Sequence, residues 1–415
     1  MPAVGAVRGS ARRRVRLGPV LVAGQLVTLR ETRLADFPHW REIRLRDREF
    51  IEPYWYTSAL TWEERHSRAW WIRERLRQGR ARLTGRALSL SVLVNGEFAG
   101  QCQLAPIDLA QRTAELGLWM DGRRAGHGVG TVAGALATDH AFGELGLHRV
   151  TAPVCVGNRR ARQAVIRGGM SLEATMIRAV DVNGARKDHE LWAVRAGDAP
   201  PGGYVAALLA AGVATARPAP AAISVRTRLA ASARALRAAA PGAVVVVATR
   251  YLLGTPWRAR TGTGETRLPQ TLSGRDAANR PVLLRQPPAR RSPRTVHRRH
   301  AYDVCAAGEP IGRLHLDLSG PNIGLTLDFD SGTPRPGAAA AVTLLLNHAI
   351  DQLRGERVET LIDPAATHLS AIATAGGLRR EGVLIAARRG RDGDFHDVEL
   401  WAATSEKPSR TTAYE

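Results

Sequence analysis

Four glycines fall within twelve residues at Arg123–Gly134, RRAGHGVGTVAG. They stand between an alternating stretch, TAELGLWMD, and a segment that reads as a helix. Glycine there lowers stability relative to alanine, so something is gained by the absence of side chains. A helix N-terminus carries four N–H groups without intrahelical partners and a partial positive charge, which suits it to anions. Strand, glycine loop and helix in that order are therefore an anion-binding arrangement; a tight strand-to-helix turn is the plainer reading. AGHGVG lacks the lysine and Ser/Thr of a P-loop. Nor does it open a Rossmann unit with an acidic residue about twenty positions on. A different pyrophosphate binder is required.

The elements that must position this loop can be read from the pattern around it. QLVTLRE alternates as a strand and leads to Asp36, a candidate helix N-cap. TWEERHSRAWWIRERLRQG predicts a helix, with Thr61 to Glu64 as a capping box and Gly79 as its stop. ALSLSVLVNGEFAGQCQL predicts a hairpin turned at Asn95-Gly96. The helix after the glycines puts Val129, Val132, Leu136 and Ala141 on one side. HRVTAPV is a further strand, NRRARQAVIRGG a helix with a glycine stop, and HELWAV a closing strand. The alternation gives an α/β class with a mixed sheet.

The chain has 415 residues, enough for two or three domains, and 44% of them are hydrophobic. Its net charge is +21, carried almost wholly by arginine, since Lys187 and Lys407 are its two lysines. A GC-rich coding sequence produces that bias; it also attracts phosphate-bearing partners. Three widely spaced cysteines, Cys102, Cys155 and Cys305, suggest neither a disulfide framework nor a zinc site and suit a reducing cytoplasm. No apolar run reaches spanning length. The expected organisation is a basic tail at 1–23, a first domain at 24–196, a Pro/Ala/Gly-rich linker at 197–222 that carries a short helix from Tyr204 to Val213, a second domain at 223–404 and a tail at 405–415. RQPPARRSPRTVHRR, residues 285–299, is a basic, proline-broken loop: a solvated loop, or a weak ribosome or RNA contact.

The sequence also repeats itself. His140, Ala141, Leu145, Arg149 and Val150 recur at His348, Ala349, Leu353, Arg357 and Val358. Gly168, Gly169 and Glu173 recur at Gly376, Gly377 and Glu381, all at a spacing of 208. DHELWA at Asp188 matches DVELWA at Asp397, at 209. An ordered series of this length indicates a duplicated domain. The part of the second copy before about His300 shows no match.

From Gly24 to Ala196 these motifs resemble the GCN5-related N-acetyltransferases (GNAT), and among them the RimJ/RimL-type ribosomal-protein N-terminal acetyltransferases. AELGLWMD resembles the family's fourth strand and AGHGVG its coenzyme A loop. FGELGLHRV and NRRARQAVIRGGMSLEA resemble the next strand and helix, and LRDREFIEPYWYTS resembles the acceptor-side segment. The resemblance implies tandem acyl-CoA N-acyltransferase folds, the second degenerate. It implies acetyl-CoA as co-substrate, with pyrophosphate at Gly126, His127, Gly128, Val129, Gly130 and Thr131 and Arg124 beside them. Trp119 and Met120 would pair with the pantetheine arm, and Asn158 would contact it. An acceptor amine attacks the thioester directly, and Glu115 is the candidate base; a structural carboxylate on a half-exposed strand is the other reading. Tyr54, Trp55 and Tyr56 would line an acceptor pocket. No metal is implied.

The chain departs from the family in places. Ala125 stands where the loop motif carries Gln or Arg, Ala161 where relatives often carry serine near the sulfur, and Gly168-Gly169-Met170 where they have Leu-Gly-Phe. In the second copy, Gly126, Gly128 and Gly130 fall on Pro334, Pro336 and Ala338. Asn158 falls on Ala366, and Glu115, aligned through Gly117 and Gly324, on Asn322. Proline has no N–H to donate, so the cradle is lost there. The implied function is acetyl transfer to a protein or peptide N-terminal amine, that of a ribosomal protein among them. Small-molecule amine acetylation and a non-enzymatic acyl-CoA-binding or ribosome-associated protein are the alternatives. The expected location is the cytoplasm, without a membrane.

Overall fold

The computed structural model describes residues 14–216, 268–287, 299–318 and 322–405. Contacts divide the chain into two compact units: Met1–Leu172 with Trp192–Ala259, and Glu173–Leu191 with Arg260–Glu415. The expected first domain, 24–196, thus gives up residues 173–191 to the second unit. The helix that RTRLAASARALRAAA predicts, the strand that AVVVVATRYLL predicts, most of the basic loop (288–298) and the tail from 406 lie outside the described residues.

In the first unit, strands β1 (Arg16–Val22), β2 (Gln25–Glu31), β3 (Leu88–Val94), β4 (Glu97–Asp108) and β5 (Thr113–Met120) pair antiparallel in that order. Residues 16–22, expected as tail, are therefore a strand of the sheet. The β3–β4 turn is the predicted Asn95-Gly96, with φ of 52° and 88°, a conformation Asn and Gly tolerate. β6 (Arg149–Cys155) lies parallel to β5, but the pairing covers only Thr113–Glu115 against Arg149–Thr151. Beyond Glu115 the two strands part.

Helix α1 (Phe37–Arg46) and helix α2 (Arg68–Leu83) fill the connection between β2 and β3. Asp36 stands at the start of α1 but does not cap it. Its carboxylate turns back to Arg30, the Arg33 N–H and Ser91 instead. The Thr61–Glu64 box forms reciprocally, yet it closes a short turn, and α2 is capped by Ser67 through the Trp70 N–H. Gly79 does not stop α2, which runs to Leu83. The turn comes at Gly85, with φ +68°.

Helix α3 (Val129–Gly143) buries the predicted Val129, Val132, Leu136 and Ala141, and also Ala133, Ala135, Ala137 and Thr138. It is buried nearly all round because α5 (Tyr204–Ala210) packs on its far side. Asp139 holds α5 by accepting from the Tyr204 and Val205 N–H groups (2.7 and 2.9 Å). The expected linker thus starts with packed structure: α5, then β9 (Thr215–Ala216) paired to β1. Between β6 and α5 come α4 (Arg159–Arg167) and the strands β7 (Ser171–Val182) and β8 (Ala185–Arg195).

The second unit repeats the plan. β10 (Thr271–Arg275), β11 (Pro281–Arg285), β12 (Arg299–Ala306), β13 (Glu309–Asp317) and β14 (Ile323–Asp328) pair antiparallel in order. β14 is briefly parallel to β15 (Arg357–Ile362), followed by β16 (Arg379–Arg389) and β17 (Phe395–Thr404). α6 (Arg335–Asn347) and α7 (Thr367–Ala375) occupy the places of α3 and α4. The first two strands, invisible as a repeat in the sequence, are there as β10 and β11. The connection that holds α1 and α2 in the first unit, residues 32–87, shrinks to 286–298.

Within this unit, residues 173–191 face the β16–β17 hairpin through positions equivalent in the repeat. Ala174 pairs with Gly382, its counterpart at 208. The Ile177 N–H donates to Glu381 (2.8 Å), and the Ile385 N–H donates to Glu173 (3.4 Å), again counterparts at 208. This pairing brings equivalent strand segments together backbone to backbone. It explains Gly382: a Cβ there would lie 2.1 Å from the Glu173 carbonyl oxygen.

Candidate active site

The glycine loop lies between β5 and α3. Asp121 ends β5 and caps a short turn by accepting from the Arg123 N–H (2.9 Å), while Asp47 accepts from the Gly122 N–H (2.7 Å). Arg46 bridges both carboxylates, to Asp47 at 2.7 Å and Asp121 at 2.5 Å. Burial opposes ionisation of Asp47, but the Arg46 and Gly122 hydrogen bonds hold its carboxyl below the ordinary range. This clamp joins positions 75 apart and was not legible in the sequence.

The four glycines have different reasons. Gly126 (φ +92°) and Gly128 (φ +79°) occupy the left-handed region, where an L side chain is strained. A Cβ on Gly126 would meet nothing within 4 Å, so the space above it is open. Gly130 and Gly134 let α3 lie close on β5, over Leu118 and Leu116 respectively. Gly128 is the N-cap of α3, and the first intrahelical bond runs from the Val132 N–H to its carbonyl. Helix geometry therefore leaves the Val129, Gly130 and Thr131 N–H groups without intrahelical acceptors, pointing out of the helix end. Arg124 is drawn aside to Glu97 and the Val94 carbonyl. His127 is exposed.

β5 presents two faces. Leu116, Leu118 and Met120 pack against the main core, and Trp119 joins the aromatic cluster of Trp40, Trp71 and Phe98. Alternation places Glu115 on the Trp119 side, at the last position before β5 and β6 part. The edge of residues 116–120 that faces away from β4 has no strand partner among the described residues. Glu115 is half-buried and has no ion-pair partner there either; burial pushes its carboxyl up to about 7. Burial and the Glu115 carboxylate together raise the Tyr56 phenol. Asn158 caps α4 through the Ala161 N–H (3.2 Å).

Of the expected acceptor-side residues, Tyr54 is exposed, with its hydroxyl 3.4 Å from the Gly157 carbonyl. Trp55 covers Arg44, with 3.7 Å from guanidinium carbon to ring centroid. Arg44 itself carried no sequence signal beyond its place in an arginine-rich helix. His189 is buried and bonded to the Lys187 carbonyl, a packing residue. Cys155 is buried at the end of β6.

The second unit lacks each counterpart. Pro334 is the N-cap of α6 and Pro336 sits in its first turn, removing two N–H donors. Ala366 heads α7 with no side-chain cap. Val150 opposes Ala114, and its counterpart Val358 opposes Ile323. Glu115 therefore corresponds to Gly324 rather than to the expected Asn322, which instead bonds Arg186 and Glu359. Among the described residues, no group of His, Cys, Asp and Glu could hold a metal ion, and no helix is long and apolar enough to cross a membrane.

A mixed sheet split beside a carboxylate, with a glycine-capped helix closing the split, is the architecture of an acyl-CoA N-acyltransferase. Residues 27–171 match the family model described as "Acetyltransferase (GNAT) domain", and this part of the chain is a domain of that family. The chain is 34% identical over 85 residues to "Probable N-acetyltransferase YjcK" of Bacillus subtilis (strain 168), covering 20% of this chain and 47% of that protein. It is 32% identical over 101 residues to "Putative ribosomal N-acetyltransferase YdaF" of the same organism, covering 24% and 55%. The chain thus spans about half the length of these curated relatives. Among solved structures, Mycobacterium smegmatis RimJ in complex with CoA-disulfide is 32% identical, with a TM-score of 0.48, covering 49% of this chain and 97% of that one.

Proposed function

We propose that the first unit transfers an acetyl group from acetyl-CoA to the N-terminal amine of a peptide or protein. The observation that carries this is the placement of Glu115. A carboxyl raised to about 7 stands at the point where β5 turns from a paired strand into one with a free edge. The fit to the co-substrate rests on two features. The Val129, Gly130 and Thr131 N–H groups and the open space above Gly126 suit a pyrophosphate. The free edge at Trp119 and Met120 offers N–H and C=O groups to the amides of a pantetheine arm, much as a missing strand would. Asn158, in capping α4, keeps its amide nitrogen available to the same arm.

Acetyl-CoA supplies an acyl group already activated as a thioester. The chain's task is to hold the acceptor and remove its proton. An ammonium cannot attack; Glu115, directly or through a water, takes the proton as nitrogen bonds to the acyl carbon, and the thioester C–S bond then breaks to release coenzyme A as its thiolate. A base near 7 is matched to that task at neutral pH. Tyr54, Trp55 and Tyr56 form the acceptor-side wall. The relative YdaF, named a putative ribosomal N-acetyltransferase, supports a ribosomal protein as the specific case of that acceptor class. The second unit, with prolines at its helix start, glycine in place of the base and no counterpart of residues 32–87, binds no acetyl-CoA. An intracellular, cytoplasmic setting follows from that co-substrate and acceptor.

The test is to incubate the full chain with acetyl-CoA and short peptides beginning with alanine or serine. N-terminal acetylation is then read by mass spectrometry, with a diamine as small-molecule control. Peptide acetylation supports the proposal; acetylation of the small amine alone replaces it.

A further inference from the structure

Arg44 on α1 is 1% exposed, among the most deeply buried of the large side chains. Its Nε donates to His66 Nε2 at 2.9 Å, and His66 bonds the Trp62 carbonyl through Nδ1. Burial and the Arg44 and Arg65 cations push His66 down to about 3, so it is a neutral acceptor and not a counter-ion. The acidic group within electrostatic reach, Glu52, is already held by Arg48 and Arg65. Arg44 Nη1 has no hydrogen-bond partner, and neither does Arg65 Nε. The Trp62 indole lies against both guanidinium groups, at 4.7 Å from Arg44 and 4.6 Å from Arg65. Two desolvated cations thus share one carboxylate that a third arginine also claims.

The location gives this imbalance a use. Arg44 lies 5.1 Å from the ring of Trp119, which stands on the same face of β5 as Glu115. Its other cover, Trp55, is only partly buried and belongs to the segment that carries Tyr56. Indole rings offset part of the desolvation of a guanidinium. A buried cation with an unused donor still gains most from meeting an anion, and arginine binds carboxylate through a fixed, charge-assisted fork.

We propose that Arg44 sets acceptor specificity: with the Trp55 ring moved aside, Nη1 donates to a carboxylate that the acceptor carries close to its reactive amine. Peptides with Asp or Glu at the second or third residue are then the preferred substrates. This rests on the acetyl-transfer reading above.

The experiment compares kcat/KM for paired peptides that differ only as Asp against Asn, or Glu against Gln, at those positions. The wild-type chain is expected to favour the acidic member by about 10–100-fold, the range of a charge-assisted hydrogen bond. Arg44→Met should abolish that preference, read as the ratio of the two kcat/KM values whatever their absolute size. Equal rates for both members in the wild-type chain would overturn the proposal, and this comparison stands even if Arg44→Met fails to fold. A preference that survives in a folded Arg44→Met would overturn it too. Absence of turnover with every peptide would refute the acetyl-transfer reading itself, and this proposal with it.

Discussion

Replacing Glu115 by glutamine tests the base through stability as well as rate. Moving a carboxyl from its ordinary 4.5 to about 7 corresponds to about 3 kcal/mol. The sign follows from linkage. The folded chain holds the Glu115 proton more tightly than the unfolded chain, so ionisation is a cost of folding. That cost is absent below about 4.5, grows as pH rises towards about 7 and is constant above it. Glutamine keeps the shape and removes the charge, so the difference between variant and wild type should grow in the variant's favour over this window. It approaches about 3 kcal/mol by pH 8, several degrees in melting temperature for a domain of this size. Subtracting the wild type at each pH cancels the titration of other carboxylates. In parallel, acetyl transfer should fall by about 10²–10⁴-fold, the usual contribution of a positioned base, and the wild-type rate should rise with pH through about 7. A stability difference that is flat from pH 4.5 to 8, together with unchanged turnover, would refute both the buried-carboxyl argument and the role given to it.

Two further substitutions isolate single features of the backbone. Gly126→Ala places a methyl in the open space of the loop at φ +92°. The local strain costs about 1 kcal/mol, whereas acetyl-CoA affinity, measured by calorimetry, should fall at least tenfold; unchanged affinity would exclude a close pyrophosphate. Gly382→Ala forces a Cβ to within 2.1 Å of the Glu173 carbonyl oxygen. The second unit should lose about 1–3 kcal/mol, and residues 173–191 should become accessible to proteolysis; wild-type resistance would show that the strand pairing there tolerates separation.

The parts of the structure legible in the sequence were those written in local patterns. The Asn95-Gly96 turn, the buried stripe of α3 and the glycine stop of α4 each depend on neighbours within a few positions. The second copy was legible wherever its core residues kept their spacing. What was hidden depends on partners chosen by the fold. Asp36 reads as a cap by position, but Arg30 and Ser91 compete for its carboxylate and win. Gly79 reads as a stop, but one glycine in a helix costs about 1 kcal/mol, and the flanking arginine- and leucine-rich segment carries α2 past it. β10 and β11 share no residues with β1 and β2 that a comparison would catch, because a strand requires only alternation. The counterpart of Glu115 was misplaced by two residues because Gly117 and Gly324 align in sequence and not in register. Arg44 was invisible because its four ring and imidazole neighbours come from positions 55–119.

The central claim is that one coenzyme cradle persists in the first unit and has been dismantled in the second. Titrating the full chain with acetyl-CoA in a calorimeter tests it most directly. One site per chain, lost in Gly126→Ala, is the predicted result. Two sites would contradict the account of Pro334 and Pro336, and no binding at all would contradict the account of the glycine loop.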